Sequence, residues 1–184
     1  MNRFMPWMTM GIIVAVMIFL RGPEADLRAK SRAAQRKEEP CAKAEYHQFD
    51  FWIGDWDAFD AGNLNLAVAR TRVDRILDGC VLREDYQDIG GLKGQSFSLY
   101  DMSRGVWHQS WVTNRGRLLV IEGKLENGEM ILSGEDRTAD GKARRVRGVW
   151  KSTHDSVRET AVTSIDGGKA WQPWFAIVFR PHRQ

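Results

Sequence analysis

The sequence predicts an all-β protein, a single up-and-down antiparallel β-barrel of about ten strands. From residue 49 onward, apolar and polar residues alternate in short runs with the period of a half-buried strand. Turn-forming Gly, Asn and Asp residues separate these runs at intervals of roughly 8–12 residues. The connections are short, which favours a closed meander without exposed edges over the alternative, a two-sheet sandwich.

The barrel is predicted to begin at Phe49-Asp50-Phe51-Trp52-Ile53-Gly54-Asp55-Trp56. Aromatic side chains dominate protein cores, whereas unpaired carboxylates stay outside them. We therefore expect a short turn, then a first strand over 51–59 that Trp56 closes at one end. The other predicted strands lie between turn signals such as Asn127-Gly128, at 65–77, 80–86, 96–100, 106–112, 118–122, 130–133, 143–151, 157–164 and 171–180.

The first 45 residues differ from the rest of the chain. Residues 4–20 are almost wholly apolar and lie between Arg3 and Arg21, so we expect an N-terminal hydrophobic helix within residues 1–21. It is either a cleaved signal peptide or a membrane anchor, and both imply an exported protein, periplasmic or anchored facing the periplasm. Residues 22–45 have the composition of a charged spacer, which leaves 46–184 for the barrel.

The charge distribution argues against nucleic acid as a partner. The net charge is +3, yet residues 41–184 contain twenty Lys/Arg and twenty Asp/Glu. The excess of positive charge therefore belongs to the leader and spacer, and the barrel has no net field that would attract a polyanion.

Cys41 and Cys80 are the two cysteines of the chain. An even count in an exported protein favours a disulfide, with free thiols as the alternative. The four histidines have no ligand spacing, and two separate cysteines are too few for a metal site, so we expect no metal. No motif indicates a catalytic residue.

The strand at 106–112 offers the best candidates for ligand binding. Strand geometry places Trp107, Gln109 and Trp111 on one face, and His108 and Ser110 on the other. Two large rings around a single amide suit the wall of a cavity. The alternative is that both tryptophans fill the core and Gln109 bonds a neighbouring group.

A second candidate feature is an interior ion pair between Glu84 and Arg147. A buried carboxylate needs a cation, and both residues lie on predicted strands. The alternative is that Arg144, Arg145 and Arg147 form a solvated edge of the barrel.

Several motifs resemble those of a bacterial family without an established activity: Phe49–Trp56, Gly79-Cys80-Val81-Leu82, Tyr100-Asp101, Trp107–Val112 and Asp166-Gly167-Gly168. Gly54-Asp55-Trp56 also resembles the Gly-x-Trp signature of lipocalins, in which an arginine at the position of Arg180 packs on the tryptophan. The resemblance covers roughly residues 41–180 and implies a lipocalin-like or nitrobindin-like (calycin) barrel with Gly54, Trp56 and Arg180 in structural roles.

Nitrobindin-like barrels hold haem through a histidine on a late strand. The last predicted strand here, 171–180, contains no histidine, and His182 lies beyond it. We therefore expect neither haem nor another cofactor.

The sequence leads to three hypotheses of function. The first is a cell-envelope protein that binds a small apolar or amphipathic molecule, which requires a cavity of a few hundred Å3. The second is a structural or interaction module with a filled barrel. The third is an enzyme, which requires an acid or histidine with a strongly shifted pKa in the cavity.

Overall fold

The computed structural model describes residues 40–183 and Leu27. The predicted hydrophobic helix within 1–21 and nearly all of the spacer lie outside the described residues. After two short 3-10 helices, Ala44–His47 and Asp50–Trp52, ten strands follow: β1 (Gly54–Asp60), β2 (Asn63–Ile76), β3 (Val81–Asp88), β4 (Lys93–Asp101), β5 (Val106–Thr113), β6 (Leu118–Glu126), β7 (Glu129–Arg137), β8 (Ala143–Ser152), β9 (Val157–Ser164) and β10 (Gln172–Pro181).

The ten strands form one closed antiparallel barrel in which each strand pairs with its neighbours in sequence. The first and last strands complete the ring, with Trp56 opposite Pro181 and Asp60 opposite Ile177. Closure satisfies the backbone groups that an open sheet would expose at its two edges. The predicted fold class is confirmed, and the architecture is consistent with a calycin-like fold.

Several hairpins extend beyond the apolar runs that predict them. The strand expected at 130–133 spans Glu129–Arg137, because backbone pairing continues through polar residues that face solvent. The turn between β6 and β7 is the expected Asn127-Gly128, and both residues have positive φ, 51° and 80°. Two-residue hairpins need this conformation, which Asn and Gly adopt most readily.

One end of the barrel is closed by the segment before β1, which we call the plug (residues 44–53). The expected strand at 51–53 is wrong, because Asp50–Trp52 forms a 3-10 helix and β1 begins at Gly54. Phe49 is 0% exposed and meets the rings of Trp107 and Trp150 edge-on, at centroid distances of 5.6 and 5.7 Å. The plug therefore supplies the centre of the hydrophobic core at this end.

Trp52, the other large plug residue, packs between two aromatic rings. It meets Phe179 at 4.4 Å and lies parallel to Trp56 at 6.2 Å. The Trp56 indole N–H donates to the Trp52 carbonyl at 3.1 Å. Gly54 is required here, because a Cβ at this position would lie 2.5 Å from the Trp56 ring.

Arg180 does not pack on Trp56, contrary to the resemblance with lipocalins. Trp56 is paired with Pro181, whereas Arg180 is opposite Asp57 on the outer face. The guanidinium lies 5.0 Å from the centre of the Phe59 ring, also outside. The pairing register thus separates the two side chains by the thickness of the barrel wall.

Two further links hold the plug to the wall. Cys41 and Cys80 form the expected disulfide, with a Cα–Cα distance of 5.2 Å. Arg75 donates to the Tyr46 carbonyl at 3.3 Å and forms an ion pair with Asp50.

Among the described residues, no helix has the length and apolarity to cross a membrane.

We predict that the disulfide makes a large contribution to stability. It closes a loop between residues 39 positions apart, which the chain-entropy model values at up to about 4 kcal/mol. Replacing both Cys41 and Cys80 by Ser should lower the free energy of unfolding in urea by an amount up to this size. Native, unreduced protein should show no reactive thiol on labelling, and stoichiometric labelling of two thiols would contradict the bond.

Candidate functional site

A cavity of about 360 Å3 occupies the half of the barrel that the plug leaves unfilled. Trp150 and Phe179 form its floor on the plug side. Leu92 in the β3–β4 turn, Leu119 at the start of β6 and Trp174 at the start of β10 surround its mouth at the other end. The remaining lining residues come from six strands, β3, β5, β6, β8, β9 and β10: Glu84, Tyr86, Gln109, Trp111, Ile121, Val146, Gly148, Glu159, Ala161, Phe175 and Ile177.

The three candidate residues of β5 face the interior at different depths. Trp107 is 2% exposed and donates from its indole N–H to Gln48 at 3.0 Å, so it belongs to the core around the plug. Gln109 and Trp111 line the cavity. The structure therefore brings two of the three candidates to the site, and their role in ligand binding stays a prediction.

The polar contact of Gln109 is internal to the barrel wall. Its side-chain amide donates to Ser98 at 3.0 Å, and its side chain is buried. Trp111 meets Tyr86 edge-on at 5.7 Å and covers Gly94, where a Cβ would lie 2.3 Å from the indole. His108 lies outside and shares a contact of 2.8 Å with Glu122, as the strand alternation predicts.

Glu84 faces the interior, but Arg147 does not, so the expected ion pair between them is wrong. Val146 and Gly148 line the cavity, and the alternation along β8 therefore directs Arg147 outward.

The Arg147 guanidinium lies outside, 4.6 Å from the centre of the Trp171 ring. Arg145 is exposed as well, but Arg144 is largely buried against Asp136. The alternative of a solvated edge therefore holds for Arg145 and Arg147 and not for Arg144.

The partners of Glu84 are hydroxyl groups. Thr71 donates to one carboxylate oxygen at 3.0 Å, and Ser96 donates to the other at 2.9 Å. Burial raises the pKa of the Glu84 carboxyl, and the two hydrogen bonds oppose that shift only in part. Glu84 is thus an interior carboxyl group without a cationic partner.

Glu159 is a site residue that the sequence reasoning missed. It lies on β9 and lines the cavity with Glu84, partly accessible from the inside although the barrel wall surrounds it. Burial raises its pKa well above the usual value, and the nearby charge of Glu84 raises the pKa further. The available signal was that Glu159 shares a strand face with the apolar Val157 and Ala161, against the general tendency of glutamate to stay exposed.

Trp150 is opposite Glu159 in the β8–β9 pair. The Trp150 indole N–H is directed toward the Glu159 carboxyl group. This proximity partly offsets the rise in the pKa of Glu159. The N–H is nevertheless buried and makes no hydrogen bond of regular geometry. A donor and a carboxyl group are therefore adjacent in the cavity wall, and neither has a full set of partners.

The electrostatic character of the cavity is acidic. Its lining includes two glutamates, and none of the described residues that line it is Lys, Arg or His. Burial, together with the charges of Asp88, Glu84 and Glu159, raises the pKa of Tyr86 to about 12. The Tyr86 phenol therefore stays protonated and is a hydrogen-bond donor at neutral pH.

The rim of the mouth, unlike the described lining of the cavity, contains arginines that are paired with a carboxylate. Asp136 forms ion pairs with Arg144 and Arg117 and is nearly buried, with 7% of its side chain exposed. The Arg144 guanidinium lies 4.5 Å from the centre of the Trp174 ring. Trp174, which is 44% exposed, is thus held between the rim and the cavity.

A larger depression of about 1120 Å3 lies mainly along β2–β4. It is open to solvent, and its charged residues balance: Arg70, Arg72 and Lys93 with Asp57, Asp85 and Asp88. Asp57 already binds His182, and Arg70 contacts both His182 and Asp55. The internal cavity is therefore the better site, because its polar groups lack such partners.

No set of three or more metal-binding side chains comes together within the described residues. His108 and His182 both lie on the outer side of the barrel, beside Glu122 and Asp57. The cavity consequently offers a ligand aromatic rings, one amide, one phenol and two carboxyl groups.

We predict that Glu159→Gln changes how stability depends on pH. Because the pKa of Glu159 is raised on folding, the folded protein keeps a proton that the unfolded chain releases. Stability should fall as the pH rises from the usual pKa of glutamate through the raised pKa, and the variant should lack this fall. Urea unfolding of both proteins over a pH series measures the difference.

Glu135→Gln is the matched control, since Glu135 is on the outer face with 63% of its side chain exposed. If the wild-type protein and Glu159→Gln showed parallel pH dependences, Glu159 would not carry the raised pKa.

The chain matches no protein-family model, and no curated protein is significantly similar to it.

Proposed function

We propose that the protein binds a small apolar or amphipathic molecule inside the barrel. The observation that carries this proposal is the cavity of about 360 Å3, closed by the plug and lined mostly by apolar and aromatic side chains. Ligand sites in proteins share this design, with a few polar groups that orient the bound molecule. Gln109, Trp111 and Glu84 would be among the residues that contact it. A structural module with a filled barrel would not need such a space.

The domain organisation and location form part of the same proposal. Residues 1–21 would direct export, 22–45 would act as a spacer, and 46–184 would bind the ligand in the periplasm, free or anchored to the membrane. The Cys41–Cys80 bond supports an oxidising compartment. Thiol labelling of cell fractions tests this location: full-length protein in the cytosol with two reactive thiols would contradict it. The closed antiparallel barrel is compatible with the binding role.

We predict saturable binding of N-phenylnaphthylamine, an apolar probe that fluoresces when it enters a dry pocket. Ala161→Leu should weaken this binding, because Ala161 is 3% exposed and lines the cavity, so the larger side chain occupies ligand space. Ala143→Leu, the same change at an exposed position of β8, is the control and should bind as the wild-type protein does.

A wild-type protein without saturable binding would contradict the proposal. Native mass spectrometry of the purified protein provides an independent measurement, since a ligand that co-purifies would appear as a mass difference that organic extraction removes. Unchanged affinity in Ala161→Leu would show that the probe binds elsewhere.

A second candidate function is proton transfer on the bound molecule. The observation that favours it is the raised pKa of Glu159 in a cavity, the property expected of a catalytic acid or base. Nitrobenzisoxazole is a suitable probe, because a desolvated carboxylate removes its ring C–H proton, the N–O bond breaks and a coloured cyanophenolate forms. The wild-type protein and Glu135→Gln should accelerate this reaction, whereas Glu159→Gln should not. Equal rates in all three would contradict this role.

A further inference from the structure

Among the residues that the structure describes, no cation lies beside the two carboxyl groups in the cavity, whereas many acids of the outer face and the rim form ion pairs. On the outer face and at the rim, carboxylates bind guanidinium groups: Asp55 binds Arg70, Asp74 binds Arg83 and Asp136 binds Arg144. Glu84 and Glu159 face a lining in which the described residues include no Lys, Arg or His. A carboxyl group removed from water is normally either protonated or paired with a cation, and no described side chain of this lining supplies the cation.

A second, independent observation points to a missing group at the same place. Trp150 is 4% exposed and lines the cavity, and its indole N–H makes no hydrogen bond of regular geometry. Orphaned buried N–H groups are rare, because each costs the desolvation of a donor. This N–H lies beside Glu159, the residue opposite Trp150 in the β8–β9 pair.

The rest of the lining suits a positive charge attached to an apolar body. Tyr86, Trp111, Trp174 and Phe175 surround the space with aromatic rings. The faces of such rings attract cations, and the attraction is stronger where water is excluded. An anion would instead meet two carboxyl groups and these same negative ring faces.

We infer that the ligand is an organic cation, an ammonium group on a compact apolar or aromatic body, and that its charge lies between Glu159 and Glu84. This inference rests on the proposed function, because it assumes that the cavity binds a ligand. The volume of about 360 Å3 limits the body to a small molecule.

A bound cation would also account for the Trp150 indole N–H that lacks a regular hydrogen bond. A bound cation favours the ionised form of Glu159, which gives up its proton to solvent. The ionised carboxylate is a strong acceptor, and the adjacent Trp150 N–H can then donate to it. The acid that faces Glu159 is Glu84, with Tyr86 as the neighbouring phenol, and Asp85 and Asp88 act on these two from the outer face and the mouth.

The rim does not oppose such a ligand. Arg144 is paired with Asp136 and stacked on Trp174, so part of its charge is already compensated. Arg117, also paired with Asp136, is half exposed and directed to solvent. An anionic head group bound to these two arginines is the alternative that the test must separate.

The test compares two probes of nearly identical shape. Benzyltrimethylammonium carries a permanent charge, and neopentylbenzene has carbon in place of its nitrogen. Each competes with N-phenylnaphthylamine at mildly alkaline pH, in the wild-type protein, Glu159→Gln and the control Glu135→Gln. The cation should bind at least about tenfold more tightly than its isostere to the wild-type protein and the control. Glu159→Gln should remove that preference while keeping the affinity for the isostere.

Other outcomes overturn the inference in distinguishable ways. If the isostere binds as tightly as the cation, or if Glu159→Gln keeps the preference, the inference is wrong and the proposed function stands. If phenylbutyrate binds more tightly than both, the rim arginines set the ligand class instead. If no probe and no N-phenylnaphthylamine binds saturably, the proposed function fails as well.

Discussion

The packing of Phe49 and Trp52 into one end of the barrel determines where the rest of the structure can lie. Both side chains are almost fully buried, and they contact aromatic rings from β5, β8 and β10. A barrel this wide cannot fill its interior from the wall alone. Because the plug fills one half and the disulfide holds it there, the remaining space is confined to the other half, beside Glu84 and Glu159.

Local alternation accounts for the side-chain directions that sequence reasoning predicted correctly. The interior position of Gln109 and the exterior position of His108 depend only on neighbouring residues of one strand. Two predictions of contacts between strands far apart in sequence were wrong: Arg180 with Trp56, and Arg147 with Glu84. Each depends on the register of pairing around the whole barrel, and a shift of one residue reverses the direction of a side chain.

The plug and Glu159 were missed for different reasons. Alternating aromatics at 49–53 have the pattern of a strand, and only the packing around Phe49 explains why the chain turns into a 3-10 helix there. Glu159 was missed because glutamate is a residue type that is rarely buried, although it shares a strand face with Val157 and Ala161. Its burial follows from the side of the wall that β9 presents to the interior, and from the neighbouring Trp150 in the β8–β9 pair.

The closed end has a kinetic consequence for any guest molecule. Within the described residues, a molecule would enter and leave the cavity through the same opening, around Trp174 and Leu92. The aromatic floor closes the cavity on the side of the plug. A competing molecule cannot displace the bound one from the opposite side, so it enters only after the bound molecule has left. Exchange of a bound molecule would then proceed at its spontaneous escape rate, whatever the concentration of the competitor.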